Sequence, residues 1–345
     1  MKLTRLLVLV LALSIGVVAA ACGGSDSSST TAASTAGGST AATEPVNITF
    51  SYDWPTVDFE VIPIVVADEK GYFAANGVNV EVIFPPDPAS ATKILATGDS
   101  NLGLITTTDM AFAVKRSLPV TSIGDYTTGN NWGLFTKPGV TIGLDTLKGK
   151  KISTYGDSWT NAMLPFVLKS AGLTDKDVQE VTVDWDLPLL LNGKIDIATN
   201  TTNFLIPGVK DKTGKNPEWI LARDNGAPNV PVWVYAGNKD WLAKNPAAAK
   251  GFMAAIAQAT EWAGANPDEA AAMFDKAYPD NGYSHNYNRI GWVETYKFMK
   301  NNDGSLLTQS DEQWTQLGDA LKGIGQLDTV AAPSAYYTNE YLPTK

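Results

Sequence analysis

The sequence predicts an α/β protein: two parallel-type sheets flanked by helices and joined by two crossings of the chain. Three observations predict it. Residues 78–124 alternate strand, helix, short strand, helix and strand, and such alternation implies a parallel sheet, because each right-handed crossover returns the chain beside the previous strand. Residues 126–136 (YTTGNNWGLFT) then break the pattern with glycine and asparagine, as a chain leaving one lobe for a second would. Residues 231–236 (PVWVYA) alternate again and read as the crossing back. The length of 345 residues agrees, since that is about two domains of chain.

The elements follow in order. Residues 1–21 read as a secretory signal, with Lys2 and Arg5 in a positive start and an apolar core over 6–18 that is too short to span a bilayer comfortably. The end, Ala19-Ala20-Ala21-Cys22-Gly23, places small residues directly before the sole cysteine. It resembles a bacterial lipoprotein box with lipid on Cys22, although Ala19 stands where such boxes usually carry leucine; the alternative is ordinary cleavage beside an incidental cysteine. Residues 22–45 read as a lipid-attached flexible linker, too poor in apolar bulk to offset the entropy of ordering.

Lobe 1 is expected over 46–126, lobe 2 over 127–235, and 236–345 returns to lobe 1 and adds C-terminal helices. Ile48, Phe50 and Tyr52 alternate in a first strand that ends on Asp53 and Trp54. A helix over 63–76 follows, with Gly77 as its cap, and then a strand carrying Val80, Val82 and Phe84. Asp87 offers an N-cap oxygen and Pro88 suits a first helical position, opening a helix that Gly98 closes. Residues 102–105 are a short buried strand, and Thr106, Thr107, Thr108 and Asp109 cap a helix over 110–117. Lys115 and Arg116 end it with the sign the helix dipole favours.

In lobe 2, a strand over 150–155 leads through Gly156-Asp157-Ser158-Trp159-Thr160 into a helix reaching about residue 171. A strand over 178–183 ends on Asp184-Trp185-Asp186, a short helix covers 187–191, and a strand over 195–198 precedes Asn200-Thr201-Thr202-Asn203. A strand at 219–221 completes the lobe. From residue 240 the chain reads as helical, including helices over 290–300 and 311–321, and its Trp and Met spacing there fits core.

Composition narrows the function. A net charge of −10 carries no nucleic-acid footprint. One cysteine and one histidine, His285, exclude an intramolecular disulfide and any zinc site needing several His or Cys ligands; no metal and no cofactor are expected. Only Arg5, Arg116, Arg223 and Arg289 could clamp an anion. Gly156–Thr160 follows a strand and starts a helix as a nucleophile elbow does. But Thr160 holds the final glycine's place, and His285, in the polar stretch NGYSHNYN, reads as a surface residue. A serine hydrolase is therefore a remote alternative and the protein is read as not an enzyme. No Walker lysine or dinucleotide glycine motif is present.

Ala67-Asp68-Glu69-Lys70-Gly71-Tyr72-Phe73, followed by Gly77-Val78 and a strand, resembles the periplasmic substrate-binding proteins of ABC importers. The similarity is to the branch handling thiamine pyrimidine precursors, sulfonates, taurine and nitrate. Asp53-Trp54, Pro85-Pro86-Asp87-Pro88, Leu118-Pro119-Val120 and the terminal Tyr337-Thr338-Asn339-Glu340-Tyr341-Leu342-Pro343 look most like the pyrimidine-precursor members. The resemblance covers roughly residues 46–343. It departs at Thr56-Val57-Asp58-Phe59-Glu60, where those members carry asparagine and histidine. It implies a type II periplasmic-binding-protein fold closing on its ligand like a hinge. It implies a secreted monomer, held on the outer face of the membrane by lipid on Cys22, that delivers a small-molecule ligand to ABC permease subunits. The expected ligand is a small, mostly neutral planar heterocycle, a thiamine pyrimidine precursor, with riboflavin or a sulfonate, taurine or nitrate as alternatives. A surface adhesion module, the third class, predicts no small-molecule cleft.

In parallel sheets ligands sit at the carboxyl ends of strands. Trp54, Tyr126, Trp132, Tyr155, Trp159 and Trp185 fall at strand ends or crossings and could sandwich a ring, each stack adding roughly 0.5–1.5 kcal/mol beyond area burial; core packing is the alternative. Asp53 could accept from an exocyclic amine or serve as a structural carboxylate. Thr107, Thr108 and Ser158 could hydrogen-bond a ligand at helix N-termini or merely cap them. Asn200 and Asn203 could read ring edges or form turns.

Overall fold

The computed structural model describes residues 44–344; the expected signal segment, Cys22 and most of the linker lie outside the described residues. The alternating Ile48, Phe50 and Tyr52 are buried along β1 (Val46–Ser51). A 3-10 turn at Phe59–Val61 leads into α1 (Ile62–Glu69), and α2 (Tyr72–Ala75) follows. The single helix expected over 63–76 is broken at Gly71, whose φ of +72° lies in the left-handed region that glycine enters without a Cβ penalty. β2 (Val78–Ile83) comes next. The Asp87 side chain accepts no backbone N–H as a cap: a 3-10 turn over Pro88–Ser90 precedes α3 (Ala91–Thr97). Then come β3 (Leu102–Thr106), α4 (Thr107–Lys115) and β4 (Val120–Asp125). The helix α4 begins earlier than expected because the Thr106 hydroxyl caps it, accepting from Asp109 N at 3.0 Å.

The second group comprises β5 (Trp132–Thr136), β6 (Lys151–Thr154), α5 (Ser158–Ser170), β7 (Gln179–Thr182) and α6 (Asp186–Leu191). It ends with β8 (Ala198–Thr201), α7 (Thr202–Thr213) and β9 (Glu218–Leu221). Asn200 and Thr201 therefore lie within a strand, not after it. The chain returns through β10 (Trp233–Asn238) to α8 (Lys239–Lys244), α9 (Pro246–Ala265), α10 (Pro267–Ala277), α11 (His285–Tyr296) and α12 (Asp311–Gly323). NGYSHNYN is not a loop throughout: Ser284 caps α11 by accepting from Tyr287 N at 3.1 Å.

The first sheet has strand order β2-β1-β3-β10-β4. The β1 pairings to β2 and β3 are parallel, as the alternation predicts, whereas β10 runs antiparallel between β3 and β4. The second lobe repeats the device: β5 is antiparallel to both β8 and β9, while β6 and β7 are parallel and an Ile152–Ile197 bridge ties β6 to the run into β8. The reason is directional. Strands of each lobe point their carboxyl ends at the cleft, and a chain arriving from the other lobe starts at the cleft, so it must run the opposite way.

The crossings are bonded to one another. Tyr126 N donates to Trp233 O at 3.0 Å, Val232 N donates to the Thr127 hydroxyl at 3.0 Å, and Asn130 N donates to Asn229 Oδ1 at 3.0 Å. The helix α11 packs hard on the Phe59–Val61 turn: a Cβ on Gly291 would sit 2.4 Å from the Phe59 ring. Trp292 is fully buried beside it, its indole donating to Ala263 O at 2.9 Å. Gly291→Ala is expected to lower stability by about 1–3 kcal/mol through overpacking, measured by chemical denaturation; an unchanged midpoint would show that this contact has slack.

Candidate ligand-binding site

The strand ends of both lobes converge on one cavity of about 120 Å³. From the first lobe, β1 delivers Asp53 and Trp54, the Phe59–Val61 turn brings Asp58 and Glu60, and the first turn of α4 brings Asp109. From the second, β6 leads to Tyr155 and Asp157, α5 presents Trp159 in its first turn, β7 leads to Asp184, Trp185 and Asp186, and β8 carries Asn200 and Thr201. Trp132 and Trp233, at the starts of the two crossing strands, Tyr283, just before α11, and Tyr287, in its first turn, complete the wall. A space of this size is that of one small ring, since a cavity of about 150 Å³ takes up benzene.

Aromatic faces dominate. Trp54 meets Tyr155 edge-on across the lobes at 5.2 Å between ring centroids, and Trp185 meets Tyr283 edge-on at 6.0 Å. Tyr283 stacks on Tyr287 at 4.8 Å. Trp185 is 44% exposed and marks the mouth.

Seven acidic residues line the cavity, Asp53, Asp58, Glu60, Asp109, Asp157, Asp184 and Asp186, of which Asp53, Asp58, Glu60 and Asp186 are buried and Asp184 is exposed, and no Lys, Arg or His lines it. Their partners are neutral. The Trp233 indole donates to Asp53 Oδ2 at 2.7 Å, and the Tyr52 hydroxyl donates to Asp58 at 2.8 Å. Asn203 Nδ2 donates to Glu60 Oε1 at 2.8 Å, and the Thr106 hydroxyl donates to Asp109 Oδ2 at 2.8 Å. Asp157 Oδ1 accepts from Thr160 N at 2.7 Å as the cap of α5. Burial pushes the Asp53 and Glu60 carboxyls well above the usual carboxylate range. It raises Asp58 to about 7 and Asp186 to about 6, and Asp109 and Asp157 upward as well.

Four polar atoms of the wall are buried without a hydrogen-bond partner: Asp157 Oδ2, Asp186 Oδ1, Trp159 Nε1 and Thr201 Oγ1. An unmade buried hydrogen bond costs about 1–3 kcal/mol, so two acceptors, a donor and a hydroxyl without partners, all on residues that line one cavity, mark it as the place where a guest's polar edge would satisfy them.

Seven of the twelve sequence-predicted residues line this cavity: Asp53, Trp54, Trp132, Tyr155, Trp159, Trp185 and Asn200. Five do not. Thr107 lies against the crossing, its hydroxyl donating to Pro231 O at 2.7 Å. Thr108 and Ser158 meet across the lobes at 2.8 Å, with Thr106 at 3.0 Å from Ser158. Tyr126 is buried behind the wall and donates to Glu60 O at 2.8 Å. Asn203 is buried and orients Glu60. Ser158 has no imidazole beside it: His285 is half exposed and holds Asp275 Oδ2 at 2.6 Å, so the elbow-like turn is a helix cap. Sequence reasoning missed Asp58 and Glu60, Asp109 and Asp157 read only as caps, and Tyr283 and Tyr287. The signal was present in part, because Asp109, Asp157, Asp184 and Asp186 all stand just past strand ends.

Comparison with known proteins sets these features among relatives. Residues 58–270 match the family described as NMT1/THI5 like. A Haemophilus influenzae protein named for thiamine biosynthesis is 27% identical over 292 residues, spanning 84% of this chain and 90% of its own. The 4-amino-5-hydroxymethyl-2-methylpyrimidine phosphate synthase of Aspergillus parasiticus is 25% identical over 314 residues, spanning 86% of this chain and 87% of its own. Among solved structures, the periplasmic aliphatic sulphonate-binding protein SsuA of Escherichia coli aligns with a TM-score of 0.65 at 13% identity, spanning 86% of this chain and 92% of its own. That last likeness is one of fold, the two-lobed fold of periplasmic binding proteins.

The raised carboxyls set a pH dependence. The folded state of the empty protein holds protons on Asp58 and Asp186 up to about pH 7 and 6, whereas unfolded aspartates titrate near about 4. Stability is therefore lowest above pH 7 and rises as pH falls toward 5. The thermal midpoint of the empty protein is expected to be a few degrees higher at about pH 5.5 than at about 7.5, and Asp186→Asn to flatten that rise; a midpoint that falls over this interval would contradict the burial of these groups.

Proposed function

The chain belongs to the NMT1/THI5-like family, and from that premise we propose that it captures a small planar aminopyrimidine, a thiamine pyrimidine precursor, and delivers it unaltered to an ABC permease. The observation that carries the reading is the cavity itself: aromatic faces from both lobes, with the open acceptors Asp157 Oδ2 and Asp186 Oδ1 between them. An aminopyrimidine offers what those groups lack, a flat ring to stack and amine hydrogens to donate. One relative is named a synthase of 4-amino-5-hydroxymethyl-2-methylpyrimidine phosphate, which carries such a ring, and the other is named for thiamine biosynthesis.

Anionic ligands fit badly. A sulfonate or nitrate would enter a wall that offers no cationic side chain to pair its charge. Riboflavin needs room for three fused rings, against a cavity of about 120 Å³. Turnover is the second reading, since a relative is named a synthase. Capture is favoured because no lysine, histidine or cysteine lines the cavity to act as an amine, imidazole or thiol in covalent or proton-transfer chemistry. Lipid on Cys22 and a flexible tether would keep the two lobes near the membrane and its permease.

Purified protein is expected to bind 4-amino-5-hydroxymethyl-2-methylpyrimidine, with stabilisation of about 2.7 kcal/mol at a hundredfold excess over Kd, read as a thermal shift, while taurine and nitrate give none. Trp159→Ala is expected to weaken binding by about tenfold or more. Stabilisation by taurine or nitrate alone would sink the ligand claim, and recovery of a chemically changed pyrimidine from the protein would replace capture by turnover. Separately, Cys22→Ser is expected to move the protein from the membrane fraction to the soluble fraction of cells; retention at the membrane would refute the lipid anchor.

A further inference from the structure

The guest was expected from the sequence to be mostly neutral. The charge of the wall points elsewhere. Both lobes contribute carboxylates, and none of these belongs to an ion pair among the described residues. Every partner they have is a neutral donor: an indole, a phenol, an amide, a hydroxyl or a backbone N–H. Asp186 is fully buried, and one of its oxygens has no partner at all; an oxygen of Asp157 is likewise open. Buried carboxylates without a counter-charge are costly, and a wall with so many is complementary to positive charge. The aromatic faces agree, because the π face of Trp or Tyr attracts a cation within about 6 Å.

We propose that the cavity holds its guest as an organic cation, with the positive charge on or beside the ring and set against Asp186 and Asp157. This rests on the capture reading and deepens it: the aminopyrimidine is bound with a proton on a ring nitrogen. The proton balance closes within the site. A wall carboxyl O–H passes its proton to the ring-nitrogen lone pair, leaving a carboxylate–pyrimidinium pair, and no other bond is made or broken. The empty wall is suited to this, since burial already favours protons on its carboxyls. An aromatic quaternary ammonium, whose charge is permanent, would satisfy the same wall and displace those protons to solvent.

Calorimetry of the purified protein with four probes separates the possibilities. They are 4-amino-5-hydroxymethyl-2-methylpyrimidine, its carbocyclic isostere 2-amino-4-methylbenzyl alcohol, benzyltrimethylammonium and benzenesulfonate. The expected result is that the pyrimidine and the ammonium bind, the isostere binds about tenfold or more weaker than the pyrimidine, and the sulfonate does not bind. Asp186→Asn should weaken the pyrimidine by about tenfold or more while leaving the isostere unchanged. Equal affinity for pyrimidine and isostere would overturn the cation proposal and leave the pyrimidine reading standing. Binding of the ammonium without the pyrimidine would uphold the cation proposal and remove the pyrimidine. Binding of the sulfonate alone would remove both.

Discussion

The chain passes between its two lobes twice, and most of the architecture follows from that constraint. A strand that starts at the cleft must run against strands that end there, so β10 and β5 are antiparallel inserts within their sheets. Each is buried along its whole length, and each opens on a tryptophan that faces the cavity. The two crossings share hydrogen bonds through Thr127, Asn130 and Asn229, so a twist of one carries the other. Hinge closure needs a few residues that absorb a backbone change while sheets stay rigid, and this paired strap is where such a change would concentrate. Because the same strap sets Trp132 and Trp233 in the wall, ligand contact and lobe angle are mechanically joined.

Charge is the second constraint. The cavity sets buried carboxylates against neutral donors and leaves two acceptor oxygens open. Such burial disfavours the charged form, and it shifts the carboxyls of Asp53 and Asp186 upward. The lobes also meet through contacts that involve no charge, the Thr106–Thr108–Ser158 hydroxyls and the Trp54–Tyr155 edge. The Asn203–Glu60 hydrogen bond and the Phe59–Phe204 ring contact add to them. Any guest that neutralises the wall would add its own attraction to both sides at once, so binding and closure reinforce each other.

Much of this was legible in residues. Alternation at Ile48, Phe50 and Tyr52 gave the first strand, and the rule that ligands meet strand carboxyl ends put Asp53, Trp54, Tyr155, Trp159 and Trp185 in the wall. The same rule failed for Thr107, Thr108, Ser158 and Asn203, because a hydroxyl or amide at a helix start serves capping, lobe contact and ligand equally well, and only packing decides. Asp58 and Glu60 were passed over because isolated acids are most often on the surface; their burial comes from α11 closing over the turn, a contact between residues more than two hundred apart in sequence. Tyr283 and Tyr287 reach the cavity by the same packing. Local pattern reads what a strand delivers; it does not read what a distant helix presses into place.

Relatives named for synthesis and neighbours that bind solutes share one scaffold, so function must be argued from the cavity and not from the fold. Here the distinguishing feature is the chemistry of the wall. Catalysis on a pyrimidine would call for a group able to donate, accept or form a bond near neutral pH, and the cavity's titratable groups are carboxyls and phenols. The phenols are driven upward by burial, away from use: Tyr155 lies well above its ordinary range, and Tyr283 is raised too. The carboxyls are driven upward toward neutrality, the range in which a side chain exchanges protons with a bound ring. Proton exchange with a held ring is common to capture and to turnover, so the fate of the pyrimidine on the protein, unchanged or altered, is what separates the two readings.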